Sequence, residues 1–221
     1  MKNKIAILSA LTLLSGSMNS NAASFIISNV VNGIGDTLYA DASNNLMNGG
    51  IVTIGYFSAV IDVTDIDTIP ELYAQLSNFT TVTSLAPGSY STTLDGLYAG
   101  YAEQSEATSA GNITVGNALL GRSIYSIITN ASSLAAATAA SQFALVLIGT
   151  IADDNPVENT YSANPVNAPI IGSIGSYTGN ASGLGTVEDT YVTLKMSAVP
   201  EPSAALLGAF GVLGLLRRRR I

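Results

Sequence analysis

Between residues 23 and 198 the apolar residues come in short runs, each broken by Gly, Asn, Ser or Pro, and the runs are rich in β-branched residues and Tyr. That punctuation specifies strands and turns. It predicts an all-β domain with strands over 25–31, 37–40, 51–58, 79–84, 94–98, 113–115, 123–129, 143–151, 168–174 and 190–197. In the last of these Val192, Leu194 and Met196 face one way, and Tyr191, Thr193 and Lys195 the other. Residues 143–148 are apolar on both faces, which predicts a central strand covered on both sides. Two helical segments interrupt the pattern. Thr68-Ile69-Pro70-Glu71 is a capping box with Pro just inside the helix, and Leu72, Leu76 and Phe79 follow as one apolar stripe. An Ala-rich stretch over 132–142 is the second. About ten strands in residues 23–198 fit a single β-sandwich, with a jelly roll among its forms, better than two domains.

Charge is distributed as unevenly as hydropathy. The chain of 221 residues carries 8 Lys plus Arg against 15 Asp plus Glu, a net −7. Lys2 and Lys4 open it and Arg217, Arg218, Arg219 and Arg220 close it, so Arg122 and Lys195 are the two cations between. Residues 23–198 hold these two against fourteen carboxylates, a net −12. Such a body repels nucleic acid and anionic membranes, both of which are bound through Lys and Arg clusters. No Cys, His or Trp occurs anywhere. That excludes a disulfide framework, a thiol nucleophile, a Ser-His-Asp relay, a zinc centre and the usual haem ligands, and leaves only all-oxygen metal sites.

The two ends read as addresses. Residues 1–22 begin with Lys2 and Lys4, continue through an apolar run over 5–14, and turn small and polar toward Ser20-Asn21-Ala22, the layout of a secretory signal. Cleavage is expected after Ala22, with Ala23 the second choice. The apolar core is too short to anchor the chain across a bilayer, which takes roughly 20 residues. At the other end, Val199-Pro200-Glu201-Pro202 is an extended, proline-stiffened segment. Residues 203–216 then form an apolar run whose helix, about 21 Å long, reaches across hydrocarbon only with help from snorkelling arginine stems and local thinning. The four arginines after it obey the positive-inside bias and would stop translocation at the cytoplasmic face.

In order, spacing and terminal position, Pro200-Glu201-Pro202, the apolar helix and Arg217 to Arg220 resemble a PEP-CTERM sorting signal over residues 199–221. The resemblance implies a protein of a Gram-negative bacterium that makes exopolysaccharide. It implies export by signal peptidase, transient anchoring in the inner membrane, recognition and cleavage by an exosortase, and delivery to the cell surface or extracellular matrix. It implies nothing specific about residues 23–198. Gly49 to Phe57 and Gly121 to Tyr125 also resemble strand openings of other proteins in that class, a pattern any glycine-started strand ending in aromatics shares.

Little in the middle of the chain carries chemistry. Asp62, Asp65, Asp67 and Glu71 could hold a hard cation such as calcium, but the segment lacks the central Gly and twelfth-position Glu of an EF-hand loop. Asp67, Thr68 and Glu71 also have the competing role of helix capping. Asp153-Asp154-Asn155-Pro156 with Glu158 is a second acidic loop whose Asn-Pro pair reads first as a turn. Gly183-Leu184-Gly185 lacks the third glycine of a dinucleotide fingerprint, and no Gly-Lys pair exists for a phosphate loop. No carboxylate pair stands at a spacing diagnostic of glycoside hydrolysis. Four Asn-X-Ser/Thr triplets occur, at Asn78, Asn112, Asn130 and Asn180, about the number chance predicts. The expectation is an exported structural protein that is not an enzyme and needs no cofactor, contributing to a biofilm through exopolysaccharide or through itself. The alternative is a lectin-like, glycan-binding module, with calcium as its optional partner.

Overall fold

A computed structural model describes residues 22–31, 34–35, 37–58, 66–88, 90–91, 96–97, 99–104, 106, 108–112, 119–151, 159–162, 168–179 and 189–199. These residues are predominantly strand, all-β with one short α-helix among them. The strands are β1 (Ala22–Ile26), β2 (Val30–Val31), β3 (Ile34–Gly35), β4 (Thr37–Ala40), β5 (Ile51–Phe57), β6 (Phe79–Leu85) and β7 (Tyr90–Ser91). They continue with β8 (Gly96–Leu97), β9 (Thr108–Asn112), β10 (Ser123–Thr129), β11 (Phe143–Thr150), β12 (Asn159–Ser162), β13 (Ser173–Gly179) and β14 (Asp189–Lys195). The helix α1 spans Ile69–Gln75, tightens into a 3-10 turn over Leu76–Asn78 and feeds directly into β6.

The strands form three sheets and two short hairpins. An antiparallel sheet has the order β11-β10-β5-β6; a second has the order β12-β1-β9 and a third the order β13-β14-β4. Two pairings are parallel, β1 with β12 and β4 with β14, so early strands close on late ones. β2 pairs with β3, and β7 with β8.

The four-stranded sheet is apolar on both faces because β5, β10 and β11 are. On β10, Ile124 and Ile128 point into a core shared with Phe25 and Ile27, Tyr39, and Leu194, from the other two sheets. Tyr125 and Ile127 point the opposite way, into a second cluster closed by Ile69 and Leu72 of α1. The helix sits there because Pro70 and the Thr68–Glu71 cap start it, and Leu72 is fully buried against the sheet. Thr68 closes the cap from two atoms, its backbone N–H donating to Glu71 Oε2 at 3.0 Å and its hydroxyl at 2.7 Å. An edge-to-face chain from Phe79 through Phe57 to Tyr125, with centroids 5.1 and 5.4 Å apart, locks the helix exit to β5 and β10.

Three expectations need correction. Residues 132–142 form turns rather than a helix. Their hydroxyls compete with the helical ladder: Ser133 Oγ accepts from Ala136 N–H at 3.1 Å and Ser141 Oγ from Thr138 N–H at 3.0 Å. The strand expected over 168–174 begins at Ser173, because Ile171 bridges to Leu145 and Gly172, at φ 113°, turns the chain before β13 starts. β11 is covered on both faces over 143–146, yet it ends its ladder instead of sitting centrally. Its outer edge is taken by backbone bonds to Ser197 and to 170–171. The strand expected over 113–115 lies outside the described residues.

Candidate functional site

The residues singled out from sequence fall at the two ends of the described body and at one loop between. Ala22 and Ala23 belong to β1, the central strand of its sheet, where Ala23 registers with Asn159 and its side chain is buried. The expected cleavage after Ala22 would leave a chain whose first residue, Ala23, is already part of the core. Asp62, Asp65, Pro200, Glu201, Pro202 and Arg217 to Arg220 lie outside the described residues, as does the acidic loop over 153–158.

Val199 is the last described residue, and its position is fixed by the strand before it. Ser197 exchanges two backbone hydrogen bonds with Phe143, at 3.0 and 2.8 Å, and Val199 packs against the second core cluster. It lines a groove of about 420 Å³ together with Asp67, Thr68, Ile69 and Pro70 on one side and residues 170–172 on the other. Asp67, which with Glu71 is one of the two described members of the expected cation-ligand set, and Val199, the first residue of the expected sorting segment, thus share one groove. The sequence carries no signal for that, since Asp67 precedes α1 and Val199 follows β14, far apart along the chain.

The groove's electrostatics are those of a capped helix. A hydrogen bond with the Glu71 side chain, then that carboxylate's charge, lift the Asp67 carboxyl above its ordinary range. The Thr68 hydroxyl, then the hydrogen bond from Asp67, hold Glu71 below its own. No cluster of three metal-ligating side chains occurs among the described residues.

A second, larger groove of about 760 Å³ runs over the second core cluster, between α1 and the turns over 133–137. Ile51, Phe79 and Thr81 form its floor, Tyr73 and Leu76 one wall, and Leu134 the other. No charged side chain lines it. Sequence reading passed over Tyr73, which stands one position off the Leu72, Leu76 and Phe79 stripe; that offset places it on the exposed side of α1 with Pro70, Glu71 and Ala74.

Among the described residues the arrangement brings together no nucleophile with a base, and no pair of carboxylates beyond the cap. Among the described residues no helix is long and apolar enough to cross a membrane. These features, among the described residues, are those of an all-β body that carries these open grooves. A scan against protein-family models, a search of curated proteins and a search of solved structures each found no match to this chain.

Proposed function

We propose that this chain is an exported structural protein of the cell surface or extracellular matrix, made as a precursor with an N-terminal secretory signal and sorted through residues 199–221. One observation carries the reading: the order Pro200-Glu201-Pro202, apolar run, Arg217 to Arg220. In this reading signal peptidase cuts beside Ala22 and Ala23, the apolar run holds the chain in the inner membrane, and an exosortase acts at the Pro-Glu-Pro segment. The β body is a sandwich, a form supported by the core that residues of all three sheets share. It acts as a scaffold and not as an enzyme, in contact with exopolysaccharide or with other copies.

The placement of Val199 supports this. The strand that carries it is tied down through Ser197, so the motif follows the folded body without a linker. In a host that has an exosortase, replacing Glu201 and Pro202 by Ala is expected to abolish C-terminal processing and surface delivery. Intact mass of the mature protein checks it: loss at both ends is expected for the native chain, and unchanged processing of the double variant overturns the sorting reading.

A glycan-binding module is the second reading, favoured by the uncharged groove beside Tyr73. An aromatic face flanked by hydroxyls is a surface on which a neutral sugar ring can lie. Titration with exopolysaccharide fragments checks it, the expected result being an affinity that Tyr73→Ala lowers by about tenfold.

A further inference from the structure

The carboxylates of this body leave one side bare. Residues 72–94 and 123–152 contain no charged residue, although residues 23–198 hold fourteen carboxylates. The two stretches meet on one face of the four-stranded sheet, where α1 and the turns over 133–137 flank the larger groove. Tyr73, Ala74 and Ser77 are exposed there, and Tyr73, at 38%, is one of the four exposed large apolar side chains among the described residues. The acids of the helix stand at its start. Glu71 Oε2 is turned back on that start, accepting from the Asp67 and Thr68 N–H groups and from the Thr68 hydroxyl.

The chain leaves the body beside this face. Val199 packs on the second core cluster, as Leu76, Phe79 and Leu134 do, and shares a groove with Pro70 at the start of α1. Four Cα steps, about 13 Å of fully extended chain, separate Val199 from Ser203, where the apolar run begins. Helix α1 has seven residues and is about 10 Å long, comparable with that reach.

We propose that in the membrane-anchored precursor the outer side of α1 rests on the bilayer surface, with the Tyr73 ring among the lipid headgroups. The inference rests on the sorting reading, in which residues 203–216 hold the chain in the membrane. Two independent features select a lipid surface as the occupant. The short tether keeps the body against the bilayer, and its point of departure puts the α1 side nearest. Carboxylates facing anionic lipid are repelled, and this is the side from which they are missing. A Tyr ring, apolar with one polar end, also suits the boundary between hydrocarbon and water. The two uncharged stretches hold no Lys or Arg to bind headgroups, so the tail alone secures the contact and its cleavage frees the body.

The chain contains no Trp, so a single introduced Trp reports its own surroundings. The full chain, purified from a host without exosortase so that the tail is retained, is reconstituted in nanodiscs of acyl-brominated phosphatidylcholine and compared with unbrominated ones. Leu207→Trp, inside the apolar run, reports anchoring. Tyr73→Trp is expected to be quenched by the bromine. Thr178→Trp is expected not to be, since exposed Thr178 pairs with Thr190, nine positions before Val199 and roughly 30 Å away along extended chain. Ala74→Glu, which puts a carboxylate on the bare side, is expected to abolish the quenching of Tyr73→Trp. Should Tyr73→Trp fail to fold, Ser77→Trp, one turn further on, makes the same test. Absence of quenching at Leu207→Trp refutes the anchoring and this inference with it. Quenching at Leu207→Trp but not at Tyr73→Trp, equal quenching at Tyr73→Trp and Thr178→Trp, or quenching indifferent to Ala74→Glu overturns the inference alone. So does a Tyr73→Trp emission that soluble exopolysaccharide fragments move and lipid does not, which assigns the face to glycan.

Discussion

Asn29 and Ser126 show how differently two buried polar side chains act on stability. Asn29 is fully buried and fully bonded: Nδ2 donates to the carbonyls of Thr37 and Gly100, both at 2.8 Å, and Oδ1 accepts from Ala102 N–H at 2.9 Å. It ties the end of β1 to β4 and to the loop over 99–102. Asn29→Ala removes these three bonds; the Gly100 carbonyl still accepts from Tyr39 N–H at 2.9 Å, but the Thr37 carbonyl and Ala102 N–H lose this partner, at roughly 1–3 kcal/mol for each group left unsatisfied, and a loss of about 3 kcal/mol is expected in urea unfolding. Ser126 is buried on β10, and its hydroxyl has no partner among the described residues. Ser126→Ala is therefore expected to hold or raise stability by up to about 1 kcal/mol in the same assay. Asp41 sets a pH limit. Burial alone would push its carboxyl up, but hydrogen bonds from the Asn45 side chain and the backbone of Asn45 and Ser43, with the charge of Lys195, outweigh burial and hold it below its ordinary range. A depressed carboxyl stabilises when ionised, so its contribution is complete above about pH 5 and is lost as pH falls below the ordinary Asp value of about 3.9. The gap in melting temperature between the native chain and Asp41→Asn is expected to be widest near neutrality and to close in strong acid.

At the level of the element, the β5–β6 pairing depends on Gly55. The register between these strands shifts between Ile54 and Gly55, and there a Cβ would run into the Thr80 carbonyl and the Phe79 ring. Gly55→Ala must open the ladder or displace Phe79 from Phe57, and a destabilisation of about 2 kcal/mol is expected in urea unfolding. Elements whose side chains carry their own burial were legible in sequence: β4 and β10 lie at the residues their β-branched and aromatic content indicates, and α1 starts at its cap. Elements that exist only through pairing were not. β9 and β12 are short and polar, and they are strands because β1 runs between them. The Ala-rich stretch over 132–142 misled in the opposite direction, since Ala favours helix but the Ser and Thr among it bond the backbone locally. Val192 alternates as predicted with Leu194 and Met196, yet it lies past the edge of the core they enter, because alternation fixes a face and not the extent of what covers it. The same limit applied to the sites: a motif reads along the chain, whereas the groove joining Asp67 to Val199 is made by the start of α1, the residues after β14 and the 170–172 turn together.

For the molecule as a whole, the two parallel pairings decide what must be present before anything is stable. β4 registers with β14 from Thr37 opposite Val192, so removal of everything after Gly179 leaves β4 and β13 without the strand between them. That truncation is expected to lose cooperative thermal unfolding by circular dichroism, while the full chain keeps it. Pairings of such long span must meet the entropy of closing most of the chain before they return any contact energy, which places refolding on the slow, millisecond-to-second side of single domains. The order of synthesis gives this geometry a further meaning. A chain emerging N-terminus first, from a ribosome or through a pore, presents β1 and β4 at the outset and β12 and β14 near its close. The seam that joins beginning to end therefore shuts last. Until then the polypeptide stays threadable, and a product interrupted before its final strands offers any protease an open sheet.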